Sequence, residues 1–219
     1  MKNYLFIISI ILLLIPGLVS AQQDPKAKKV LQELSDKTNS YDGIKVSFET
    51  SLSNAGESMN EVREGNIITS GDQYHLYFED MEVISDGKTV WTVLVDAEEV
   101  QVSEVPEDGE ADDYANPAKI ATVWEKGFNY KYEKEDVLNG TKVHVINLYP
   151  QDPDKHDFHT IKMYIKKDKM TLAKLVIKGK GGSDVTYNLK SFEFNPTTNK
   201  SNFTFNSSLH SNFDVIDLR

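Results

Sequence analysis

The densest set of side chains able to do chemistry is Asp152, Asp154, His156, Asp157 and His159, where two imidazoles three residues apart stand among carboxylates. Such a set could hold a transition metal. Pro150 and Pro153 bend the same stretch, however, and a polar connection between strands near 143–149 and 158–166 accounts for the composition without a ligand. The acidic run Glu104, Glu107, Asp108, Glu110, Asp112 and Asp113 offers hard oxygen donors of the kind that take calcium, but it lacks the ligand order and glycine of an EF-hand loop. A block of like charges reads instead as a solvated loop. Gly179-Lys180-Gly181-Gly182-Ser183 has neither the four-residue spacer nor the Gly-Lys-Ser/Thr ending of a phosphate loop, and it falls between two strands. No Gly-x-Ser-x-Gly elbow or His-Glu-x-x-His helix occurs, and without cysteine there is no thiol chemistry. The expectation is a protein that is not an enzyme and needs neither metal nor cofactor.

The elements around these residues begin with a leader. Lys2 precedes an apolar run from Leu5 to Val19, and Val19-Ser20-Ala21 supplies small residues for cleavage after Ala21. That run is about 15 residues, short of the roughly 20 needed to span a bilayer, so residues 1–21 read as a signal peptide and 22–219 as one exported, soluble domain. Loss of the leader removes only Lys2 and takes the net charge from −10 to about −11, which disfavours nucleic acid as a partner.

From Pro25 to about Thr38, Ala27, Val30, Leu31 and Leu34 recur at helical spacing opposite Lys26, Lys28, Lys29, Glu33 and Lys37, which predicts one amphipathic helix. After Asp42-Gly43 the period changes to two. Ile44, Val46 and Phe48 alternate with polar neighbours, as do Tyr74, Leu76 and Phe78; Ile161, Met163 and Ile165; Ala173, Leu175 and Ile177; and Val185, Tyr187 and Leu189. Turn signals at Gly71-Asp72, Asp86-Gly87, Asn139-Gly140, 179–183 and Asn195-Pro196 separate these runs at the spacing of an antiparallel meander. Pro117 behind Asn116 predicts a short second helix over 117–125, with Ile120, Ala121 and Trp124 near one face. The fold class is mainly β with helices: a large antiparallel sheet whose apolar face is covered by two helices. Large apolar and aromatic residues supply that face, with ten Phe, ten Tyr and two Trp in the precursor, but alternation alone does not distinguish a packed sandwich from a hollow half-barrel.

The hairpin Glu82-Val83-Ile84-Ser85-Asp86-Gly87-Lys88-Thr89-Val90-Trp91 resembles the signature of the outer-membrane lipoprotein carrier proteins, the LolA family. The following Glu99-Val100-Gln101-Val102, the helix near 117–125, the Phe48 strand, and the closing Asn202-Phe203-Thr204-Phe205 and Val215-Ile216-Asp217 resemble that family in order. The resemblance implies an unclosed β-barrel with helices as a lid over an apolar cavity. Val30, Leu31, Leu34, Ile120 and Trp124 would then form the lid, and Phe48, Leu76, Phe78, Trp91, Met163, Ile165, Leu175 and Tyr187 the cavity. It further implies a monomeric periplasmic chaperone that takes acylated lipoproteins from an inner-membrane lipoprotein-releasing ABC complex to the outer membrane, with or without a dedicated acceptor there. A lipid- or stress-sensing binding module on the same fold is the alternative. The family's lid-tethering arginine has no positional counterpart: the stretch reads Ile68-Thr69-Ser70-Gly71, and Arg63 lies before Gly65. Apolar contact through Trp124 is the expected latch.

Overall fold

The computed structural model describes residues 23–54, 57–105 and 119–219, without the side chains of 57–61. The leader, the acidic positions 107–113 and the Asn116-Pro117 helix start lie outside these residues. Helix α1 (Pro25–Asn39) is followed by β1 (Gly43–Asn54), β2 (Glu57–Ser70), β3 (Gln73–Phe78), β4 (Met81–Ser85), β5 (Thr89–Leu94) and β6 (Glu99–Glu104). After the 3-10 turns Lys119–Ala121 and Val123–Glu125 come β7 (Phe128–Leu138), β8 (Thr141–Pro150), β9 (Phe158–Lys166), β10 (Leu172–Gly179), β11 (Ser183–Phe194) and β12 (Asp214–Asp217). The second helix is therefore corrected: its described part is two single 3-10 turns rather than a continuous helix. Thr122 sits between them and makes no side-chain cap bond.

The twelve strands of the described residues form one sheet in the order β12-β6-β5-β4-β3-β2-β1-β11-β10-β9-β8-β7. Neighbours are antiparallel hairpin partners except where β1 meets β11 and where β12 runs parallel to β6. Asn139 and Gly140 both take positive φ, 49° and 77°, as a two-residue turn matched to strand twist requires. Alternate residues share a face, and one face of the whole sheet converges: Leu76, Ile67 and Val46 join Leu175, Met163, Ile161 and Leu148 in a single buried cluster with Ala27, Val30, Leu31 and Leu34 of α1. Strands six places apart, β3 and β8, can share one cluster only if the sheet curls around the helix. Between Phe48 and Phe78, Gly65 makes this curl tight, since a Cβ there would lie 2.6 Å from the Phe48 ring.

The register places Trp91 elsewhere. It pairs with Ile84 and Val102, whereas the inner row at this level is Leu76, Val83 and Thr92. Trp91 packs with Val93, Val100 and Val102 against Phe205 and Phe213 on the outer face, under the chain that leads from β11 to β12. Its assignment to the cavity is thereby corrected.

The end strand β7 is closed by the start of α1. Asp24 caps the helix, one carboxylate oxygen accepting from the Lys26 and Ala27 N–H, while the other accepts from the Tyr132 N–H at 2.9 Å. Gln23 adds a strand-like pair, donating to the Phe128 carbonyl and accepting from the Tyr130 N–H, each at 3.2 Å. Desolvation opposes ionisation of Asp24, but its bonds from the Tyr132, Ala27 and Lys26 N–H groups outweigh that and lower its pKa from the ordinary 3.8. A depressed carboxylate stabilises the fold above its unfolded pKa, and that contribution fades as pH falls through the folded value. Asp24→Ala should cost about 1 kcal/mol or more in urea unfolding at neutral pH. The stability gap between the native chain and Asp24→Asn should shrink as pH drops below about 4; a gap independent of pH would contradict the charged anchor.

Candidate functional site

The inner face under α1 is dry. Ile161, Met163 and Ile165 of β9, Ile146 and Leu148 of β8 and Leu31 of α1 are all fully buried, and Val30 and Leu34 are nearly so. Ile120 and Trp124, from the two 3-10 turns, enter the same cluster, as do Phe48, Leu76 and Leu175. Phe78 and Tyr187 pack against it while partly exposed. Of the sequence-derived positions, Trp91 alone lies apart. The Phe48 ring meets Phe78 edge-on at 5.6 Å and Tyr187 at 5.7 Å, so Gly65 and three aromatic residues make the floor beside the covered part. Burial pushes the Tyr187 hydroxyl pKa up, as a medium poor in water would.

Toward β3–β5 the same face is less covered. Tyr74, Phe78, Met81, Val83, Val90 and Leu94 are each only partly buried. Apolar side chains in this condition continue the dry region into one reachable from solvent.

The cover is held by a polar relay. Ser35, fully buried on the apolar stripe of α1, donates through its Oγ to the Ala121 carbonyl at 2.8 Å and accepts from the Trp124 indole Nε1–H at 2.8 Å. One hydroxyl thus satisfies a carbonyl of one 3-10 turn and the indole of the next. Trp124 also stacks edge-on against Tyr130 at 5.5 Å. To the apolar contact expected of Trp124, which joins the buried cluster with Val30, Leu31 and Leu34, the structure adds hydrogen bonds, because a buried indole N–H and a turn carbonyl both need partners. Ser35 escapes a sequence reading: a serine at position 35, four residues after Leu31, adds no periodic signal, and only its place within the stripe hints at burial. Arg63 forms an ion pair with Asp80 at 2.8 Å. At the helix start, Lys26 sits 3.7 Å over the Tyr132 ring, and the Tyr132 hydroxyl lies 2.8 Å from His144 Nδ1. Burial first, then Lys167 and Lys26, lower the His144 pKa and favour the neutral ring.

The candidate chemistry-bearing residues fall outside this site. Asp152, Asp154, His156 and Asp157 lie in the connection from β8 to β9, which includes the 3-10 turn Pro153–Lys155. His156 packs between Phe128 and Phe158, and His159 Nδ1 meets the Thr160 hydroxyl at 2.9 Å. Among the described residues, no three His, Cys, Asp or Glu side chains converge as metal ligands would. Residues 180–182 join β10 to β11.

A curled, unclosed sheet with an apolar concave face and a pinned cover defines the class: an open β-barrel with a helical cover. The chain matches the model of the family described as outer membrane lipoprotein carrier protein LolA over residues 78–206, and it belongs to that family. No curated protein matches it. Among solved structures, an uncharacterized conserved protein from Thermus thermophilus has the same fold, with a TM-score of 0.58 at 11% identity over 87% of this chain and 98% of that one. LprF from Mycobacterium bovis gives 0.48 at 16% identity over 80% and 96%, and a LolA superfamily protein from Nitrosomonas europaea gives 0.44 at 8% over 82% and 97%.

Ser35→Ala should destabilise the protein by roughly 1–3 kcal/mol, since it strands a buried carbonyl and an indole N–H. At temperatures well below unfolding it should also raise binding of a naphthalene sulfonate dye, and Trp124→Ala, which removes the ring as well, should raise it further. Dye binding equal to that of the native chain in both variants would show that the relay does not hold the cover.

Proposed function

We propose that the protein is a periplasmic carrier that receives the acyl chains of a lipoprotein on its concave face and moves them from the inner to the outer membrane. The observation that carries this reading is the continuous apolar surface running from the dry core under α1 to the half-buried Tyr74, Phe78, Val83 and Leu94, beneath a cover pinned by one serine relay. Membership of the family supports it. An acyl chain in water costs about 0.8 kcal/mol per methylene, so an extracted lipoprotein anchor needs a shielded face of this kind. Binding, rather than catalysis, is the activity.

On this reading residues 1–21 are a signal peptide cleaved after Ala21, and the exported chain acts as a monomer without a cofactor. Cargo arrives from a lipoprotein-releasing ABC complex of the inner membrane, which supplies the energy, and leaves to an acceptor that holds it more tightly. The acyl chains enter where β3–β5 leave the face partly open and displace α1 and the 119–125 turns. Recognition through lipid lets one face serve many folded clients.

The test is lipoprotein release. Incubated with spheroplasts of the source cell, the purified protein should bring acylated lipoprotein into the supernatant as a soluble complex near one to one, and should ignore the same lipoprotein made without its acyl chains. Binding of lipid without any release from cognate membranes would reject the carrier and favour a lipid-sensing module.

A further inference from the structure

Charge on this chain is one-sided, with a net value of −10, yet one corner of the sheet runs the other way. There the β7–β8 hairpin turns at Asn139-Gly140 and the β9–β10 hairpin turns at 167–171, and the Lys167 N–H donates to the Lys142 carbonyl at 3.0 Å to join the two tips. Glu135 is held by Lys167 at 2.6 Å and Asp136 by Lys134 at 2.7 Å. This leaves Lys142, Lys166 and Lys169 against Asp168 alone within the two tips. An open cleft of about 410 Å³ between them is lined by Gly140, Thr141, Lys142, Lys167 and Asp168. Beside it Val137 stands 62% exposed at the end of β7, next to the half-buried Leu138.

We propose that this corner seats the protein on an anionic membrane surface, with Lys142, Lys166 and Lys169 over lipid phosphates and Val137 in the headgroup layer. Lysines alone would suit any polyanion; an exposed valine among them is rewarded only at an interface that can also bury apolar surface. Neither signal is strong by itself, and together they give a weak, reversible hold, since cationic side chains near an anionic leaflet add modestly and singly. The acidic remainder of the chain is repelled by the same leaflet, so the corner also orients the protein. The surface lies at the strand ends, apart from the concave face.

Residues 22–219, which contain every described element, would be sedimented with vesicles of phosphatidylglycerol and phosphatidylcholine or of phosphatidylcholine alone. Binding should require the phosphatidylglycerol and weaken with added salt. The double variant Lys142→Glu with Lys169→Glu should reduce partitioning by on the order of tenfold or more, and Val137→Ser by roughly threefold, each with an unchanged urea midpoint. Lys45→Glu, an equal charge change per site on an exposed position of β1, should leave binding near native. Three outcomes would each overturn the proposal: no preference for phosphatidylglycerol, an equal loss with Lys45→Glu, or lysine-dependent binding of soluble polyphosphate with vesicle binding indifferent to Val137→Ser. Because the corner is distinct from the cover, lost vesicle binding with intact lipoprotein release would count against the corner and not against the carrier.

Discussion

The structure depends on a sheet that curls but does not close. A closed barrel satisfies every strand with another strand; here β7 and β12 remain as ends, and a broad apolar concave face is left between them. The two ends are treated differently. At β7, Gln23 and Asp24 supply side-chain acceptors and a donor where a neighbouring strand would have supplied peptide groups, and the same aspartate starts the helix that covers the concave face. Edge protection and helix placement are therefore one device. At the other end, the chain after β11 crosses the outer face to add β12 beside β6, burying Val93, Val100 and Val102 beneath Phe205 and Phe213 on the way. Two layers thus lie on opposite faces of one sheet.

Much of this was legible in the residues, for a physical reason. Where one face meets water and the other does not, alternation is strict, so Phe48, Leu76, Met163, Ile165 and Leu175 announce their side of the sheet. The helix likewise announces itself, because Val30, Leu31 and Leu34 need only face one surface. Trp91 was not legible in this way. Its strand, Thr89–Leu94, reads Thr-Val-Trp-Thr-Val-Leu and is apolar on both faces, with Val90 and Leu94 on the concave side and Trp91 and Val93 on the outer side under the terminal crossing. A strand with apolar residues on both sides loses the period that would tell its faces apart. The two 3-10 turns failed for another reason: Pro117 and the spacing of Ile120 and Trp124 describe a helix start, but the bonds available to the turn carbonyls decide how far it continues. One of those carbonyls, that of Ala121, is held by Ser35.

The polar contacts that set the geometry are few and non-local. Ser35 and Trp124 are 89 residues apart, and Asp24 and Tyr132 are separated by 108. No window of sequence contains both partners, which is why the anchors were invisible while the apolar surfaces they align were not. Apolar burial is nondirectional and gives most of the stability; these bonds select which packing is adopted. The serine relay is suited to that role because it is small enough to sit in the stripe without opening a gap.

On the carrier reading, the energetic requirement is that cargo and cover compete for one surface on similar terms. Burying Val30, Leu31 and Leu34 is worth roughly 4.5–9 kcal/mol at about 1.5–3 kcal/mol per side chain. An acyl chain returns about 0.8 kcal/mol per buried methylene, so roughly ten methylenes offset the loss of the helix contacts. An empty protein therefore stays covered, and an acyl chain longer than this displaces the cover. A cover held by many apolar residues would make that exchange too costly, and one held by the relay alone would leave the concave face wet. The observed division, a short apolar stripe that ends in the buried hydroxyl of Ser35, sits between these limits.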